Sequence, residues 1–91
     1  MESFFTYILY SEKHQKIYIG QTSDITNRLE YHNQIGESTY TSKYRPWALI
    51  YLETYATRSE AMKREKQLKT AQGRVFAWQK VKEYIESGKG V

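Results

Sequence analysis

The chain has 91 residues and a net charge of +4, from 14 Lys/Arg against 10 Asp/Glu. That length makes a single small domain, and an apolar content of 40% with 26% charged residues is ordinary for a soluble globular protein. The absence of cysteine excludes a disulfide framework, a thiolate nucleophile and a cysteine-held zinc. No apolar run approaches the roughly 18 residues that span a bilayer, and Met1-Glu2-Ser3 lacks a basic signal region, so no membrane contact and a cytoplasmic location are expected.

The charge is unevenly spread. Residues 1–57 hold five Lys/Arg against six Asp/Glu, whereas residues 58–91 hold nine against four. A basic half with interspersed aromatic residues fits a polyanion binder, and it equally fits a lysine-rich helical surface.

Taken in order, the chain opens with two β-prone runs, Phe4–Tyr10 and Lys16–Gln21, joined by the polar segment 11–15 as an antiparallel hairpin. Alternation puts Tyr7 on one face with Phe5 and Leu9, and Tyr18 on one face with Lys16 and Gly20. A glycine within a strand often marks close approach of a ligand or of another backbone.

Asp24 as N-cap and Gly36 as stop frame a helix over 25–35 of about three turns. Ile25, Leu29 and His32 form its inner face, and Arg28 meets His32 one turn on. Residues 36–45 read as a polar surface loop, with Thr39, Tyr40, Thr41, Lys43 and Tyr44 able to contact a partner. Pro46 introduces a third strand, Trp47 to Glu53, apolar on both faces and so covered.

Thr57-Arg58-Ser59-Glu60 matches a capping box and opens a helix over 58–70. Its wheel sets Ala61, Met62 and Leu68 inward, with Glu65 among them, where a carboxylate must be paired or coordinating. An ion pair of Glu65 with Arg28 or Lys69 is the structural alternative. Ala71-Gln72-Gly73-Arg74 reads as a break before a last helix over 75–87. Its stripe of Ala77, Trp78, Val81, Tyr84 and Ile85 reads as core. One domain, 1–88, is expected, followed by the tail 89–91.

The collected polar set is Tyr7, Tyr18, Arg28, His32 and Glu65. Mg²⁺ needs only one or two carboxylates when water and substrate phosphate complete its shell. An arginine can hold a phosphate and neutralise charge developing on it. A tyrosine serves as a base only if neighbouring positive charge lowers its pKa from about 10. Metal-assisted phosphodiester cleavage is therefore chemically coherent.

Thr6-Tyr7-Ile8-Leu9-Tyr10, Tyr18-Ile19-Gly20-Gln21-Thr22, Asp24, Arg28, His32-Asn33 and Ser59-Glu60-Ala61 with Glu65 together resemble the GIY-YIG nuclease family. The resemblance is to the small stand-alone members grouped with the SLX-type structure-specific nucleases, the URI branch, and points to DNA repair. The glycine of the first triplet is absent, a variation common in that branch. The resemblance implies an α+β fold, a small three-stranded antiparallel sheet flanked by about three helices in the order β-β-α-β-α-α. It also implies an endonuclease acting on DNA, with Mg²⁺ or Mn²⁺ as cofactor and a protein partner or targeting subunit for specificity. On that likeness Tyr7 is the general base, Tyr18 holds water or phosphate, Arg28 stabilises the phosphate, His32 takes or shuttles a proton and Glu65 holds the metal. Gly20, Thr22, Asn33 and Lys69 are the expected substrate contacts. The asparagine found late in many members has no clear counterpart; Lys69 or Gln72 falls in that neighbourhood. A nucleic-acid-binding module without turnover is the alternative on the same fold.

Overall fold

The computed structural model of the chain describes residues 2–35 and 39–88. Strands β1 (Phe4–Ser11) and β2 (Lys16–Thr22) form the expected hairpin, each one residue longer than its pattern suggested. Strand β3 (Ala48–Tyr55) pairs antiparallel with the other edge of β1, giving the order β2-β1-β3. The fold is α+β, as the sequence implied. Its helices are α1 (Ile25–Glu30), α2 (Thr39–Lys43), α3 (Arg58–Leu68) and α4 (Ala71–Glu86), with a π-helical turn at Tyr31–Ile35.

The central strand divides the core. Its even positions, Ile8 and Tyr10, pack with Ile17 and Ile19 of β2 against Leu68, Ala77 and Val81 of the long helices α3 and α4. Its odd positions, Tyr7 and Leu9, pack with Trp47, flanked by Tyr18, Ile25 and Leu29. Register decides this: Tyr7 lies opposite Gly20 and Leu9 opposite Tyr18, and directly opposed residues share a face. Both tyrosines thus point to the face that α1 and α2 cover.

Several expectations are corrected. The helix from Ile25 does not run regularly to residue 35; after Glu30 it widens into the π turn, and Gly36 lies outside the described residues. The wider turn coincides with tertiary bonds that outrank helix regularity, from His32 to Tyr7 and from Asn33 to the backbone of Trp47. The supposed loop contains α2, whose Thr41 is buried and whose Thr41 carbonyl accepts the Trp47 indole N–H at 2.9 Å. A buried indole needs such a partner, and α2 supplies it. Strand β3 begins after Trp47 and is an edge strand, with Leu52 39% exposed; among the described residues it pairs only with β1, and Ile50 and Tyr51 pack on the helix side.

In α3, Ala61 and Leu68 are buried as expected, but Met62 is exposed, since that helix lies on β1 and β2 by a narrower stripe than the wheel allowed. The segment Ala71–Arg74 is no break: it is the first turn of α4, capped by the Thr70 hydroxyl, which accepts the Gly73 N–H at 3.1 Å. Gly73 is required there, because a Cβ would lie 2.1 Å from the Gln67 carbonyl oxygen, at the end of α3. In α4 the stripe is core only through Ala77, Val81 and the half-buried Tyr84; Trp78 and Ile85 face outward. The tail 89–91 lies outside the described residues. Among the described residues no helix is long and apolar enough to cross a membrane.

Candidate active site

The hairpin, α1 and the π turn bring four of the sequence-predicted residues together. The Tyr7 hydroxyl lies 3.0 Å from His32 Nε2, and both side chains are buried, each with 1% exposure. The Tyr18 ring centroid sits 4.6 Å from that of His32 and 6.3 Å from that of Tyr7. Gly20 makes the cluster possible: a Cβ on it would stand 2.5 Å from the Tyr7 hydroxyl oxygen. The guanidinium of Arg28, one turn before His32, interacts electrostatically with both phenols and lies over the ring of Tyr31 at 5.0 Å.

The electrostatics follow from burial. Desolvation pushes the Tyr7 phenol up to about 12, against the opposing pull of the Arg28 hydrogen bond. Burial, then the charges of Arg28 and Arg45, lowers His32 to about 4, so its ring is neutral at pH 7. If the protonated phenol donates to Nε2, the imidazole carries its own proton on Nδ1, which is buried with no hydrogen-bond partner. Burial opposes the charge of Arg28, but its contacts with Tyr7 and Tyr18 outweigh that and raise its pKa; its Nε is buried and unpartnered too. Burying two polar nitrogens without partners is costly to a fold.

Glu65 comes from α3, on the other side of the sheet, and is not sunk among apolar residues as the wheel suggested. It sits at the rim with its side chain 22% exposed, and its Oε2 accepts from Lys69 Nζ at 2.9 Å. The foreseen ion pair with Lys69 is present. Its negative charge still reaches the Tyr7 phenol, adding to the upward push there. Lys69 in turn lines a groove of ≈ 290 Å³ with Tyr18, Ile17, Ile19, Tyr40 and Arg74, which joins the rim of α3 to the phenol cluster. The other glutamate near the sheet, Glu53, is saturated: Arg64 Nε and Nη2 and the hydroxyls of Tyr51 and Tyr55 all donate to it.

The four expected substrate contacts fall differently. Lys69 is exposed at the groove, and Gly20 lies under the Tyr7 hydroxyl. The Thr22 hydroxyl accepts the Asp24 N–H at 3.1 Å and so shapes the entry to α1. Both ends of the Asn33 amide are taken by Trp47, its Nδ2 donating to the carbonyl at 2.9 Å and its Oδ1 accepting the N–H at 2.6 Å. Sequence reasoning missed Arg45, whose Nε donates to the His32 carbonyl at 2.7 Å and whose charge bears on that ring. It also gave no role to Arg74; the only signal was its place after Gly73.

Among the described residues no group of three His, Cys, Asp or Glu is placed to hold a metal. A site that draws most of its ligands from protein is thereby unsupported. A single rim carboxylate beside an open groove does fit a hard cation that keeps its waters and shares a substrate phosphate.

A model described as the GIY-YIG catalytic domain matches residues 3–80 of the chain. Two UPF0213 proteins of Staphylococcus aureus, from strains Mu50 and N315, are each 41% identical to it over 70 residues, 77% of this chain and 84% of theirs. The solution NMR structure of a UPF0213 protein from Bacillus halodurans is 26% identical, with 97% of this chain and 86% of that one covered and a TM-score of 0.46. The chain belongs to the GIY-YIG family of nucleases.

Proposed function

We propose that the protein is a metal-dependent endonuclease that hydrolyses a DNA phosphodiester bond at the Tyr7–Tyr18–Arg28–His32 cluster, with Glu65 holding the metal. The observation that carries this reading is the buried Tyr7 hydroxyl, 3.0 Å from His32 Nε2 and under the electrostatic influence of Arg28. Arg28, whose Nε has no partner in the fold, binds the scissile phosphate through its guanidinium and stabilises the charge that grows on it. Tyr7 takes the proton of the attacking water, Tyr18 orients that water or the phosphate, and His32 receives the Tyr7 proton. A magnesium or manganese ion on Glu65 would supply Lewis-acid polarisation of the phosphate and leaving oxygen.

With Tyr7 raised to about 12 and His32 lowered to about 4, both by burial first, proton transfer from phenol to imidazole is uphill in the resting protein. Tyr7 therefore ionises only when bound substrate rearranges the charge around it, with Arg28 already lowering the cost. One observation favours Tyr18 in the base role instead: it lines the groove, whereas Tyr7 is 1% exposed.

The test is nicking of supercoiled plasmid, duplex, flap, junction and single-stranded DNA with Mg²⁺ or Mn²⁺. Wild type should cut at least one of these, and Glu65→Ala and Arg28→Ala should cut it far more slowly. Tyr7→Phe against Tyr18→Phe separates the base assignments by which loses more turnover. Salt-sensitive DNA binding by wild type without cleavage in either metal would instead support a binding module that lacks turnover.

A further inference from the structure

We propose that the groove of Tyr40, Lys69 and Arg74 beside Tyr18 is the seat of the nucleotide next to the scissile phosphate, with Arg74 on its phosphate and Tyr40 against its base. The inference rests on the nuclease reading above and adds a substrate site to it. The groove, of ≈ 290 Å³, is built from three separate elements: Ile17, Tyr18 and Ile19 of β2, Tyr40 of α2, and Lys69 with Arg74 from the α3–α4 corner. Its two cations come from the corner that Gly73 closes so tightly. Among the described residues Arg74 forms no ion pair, so its guanidinium is available for a phosphate oxygen.

Tyr40 is held as a platform. Its hydroxyl donates to the Ile17 carbonyl at 2.8 Å, and its ring stacks on Trp47 with centroids 5.9 Å apart and an interplanar angle of 22°. Even so, the residue stays 41% exposed. A fixed, half-open ring bordered by two cations meets the two needs of a nucleotide, a stacking surface and charge for the backbone. Because Tyr18 belongs to both groove and cluster, a nucleotide seated there lies next to the reacting bond.

The experiment is DNA binding by fluorescence anisotropy with EDTA present, as a function of salt, followed by the nicking assay. The variants are Arg74→Ala, Tyr40→Ala, Tyr40→Phe and, as a charge control two turns along α4 in a different groove, Lys82→Ala. Arg74→Ala should weaken binding about tenfold and reduce the magnitude of the log–log salt slope by about one. Tyr40→Ala should weaken binding several-fold with the slope unchanged, while Tyr40→Phe keeps the ring and stays near wild type. Circular dichroism of Tyr40→Ala separates lost stacking from lost folding, and Arg74→Ala tests the proposal independently of that. If Arg74→Ala behaves like Lys82→Ala while wild type still binds and cuts, the subsite is wrong and the nuclease reading stands. If wild type itself shows no salt-sensitive binding, both fall.

Discussion

The two faces of the sheet are made to different standards. Behind it, Ile8, Tyr10, Ile17 and Ile19 meet Leu68, Ala77 and Val81 on regular helices of 11 and 16 residues. In front, Tyr7 and Leu9 meet Trp47 under a six-residue helix, a π turn and a five-residue helix, with the nitrogens His32 Nδ1 and Arg28 Nε left unpaired. One face packs apolar side chains against regular helices; the other keeps polar groups buried without partners. Stability is concentrated behind the sheet so that chemistry can be stored in front of it.

Breaking the rear face should be the most damaging change to folding. Leu68 is fully buried, so Leu68→Ala should cost about 3–4 kcal/mol by urea denaturation. Any protein that remains folded should keep its turnover number. The front face should answer in the opposite way: Arg28→Ala should lower kcat by about 10²–10³ while leaving the unfolding midpoint little changed, read by nicking kinetics alongside thermal melts.

Acid sharpens the contrast. His32 is lowered from 6.5 to about 4 in the fold, so the unfolded chain binds its proton first. The stability that this neutral ring contributes is complete above pH 6.5 and is lost as pH falls towards 4, about 3 kcal/mol in all. His32→Gln should flatten that part of the profile, checked by comparing wild type and variant denaturation midpoints between pH 7 and 4. The smallest effect belongs to the entry of α3, where Thr57 and Glu60 exchange capping bonds at 3.2 Å. Thr57→Ala should cost about 1 kcal/mol with no change in cleavage, measured by the same two assays.

Legibility in the sequence followed the same division. Strand alternation, the Thr57–Glu60 box and the Asp24 cap are local, and each appears where its residues place it. Met62, Trp78 and Ile85 were misread as core because a helical wheel gives spacing and not the width of what covers it. Helix α2 carried no signal: Thr39-Tyr40-Thr41-Ser42-Lys43 has poor helix formers and no apolar period, and its Thr41 carbonyl is bonded to Trp47 six residues later. For the site, Tyr7, Tyr18, Arg28 and His32 are near enough in the chain for hairpin and helix geometry to join them. Glu65 reaches them only across the sheet, and the use of Asn33 as a clamp on Trp47 depends on a fold no local pattern reveals.

The bond from the Tyr40 hydroxyl to the Ile17 carbonyl has an effect beyond the groove. Strand β2 is one of the two edges of the sheet, and such an edge can recruit neighbouring molecules into extended cross-strand assemblies. By occupying the Ile17 carbonyl, the phenol removes one acceptor with which a foreign strand would pair on this edge.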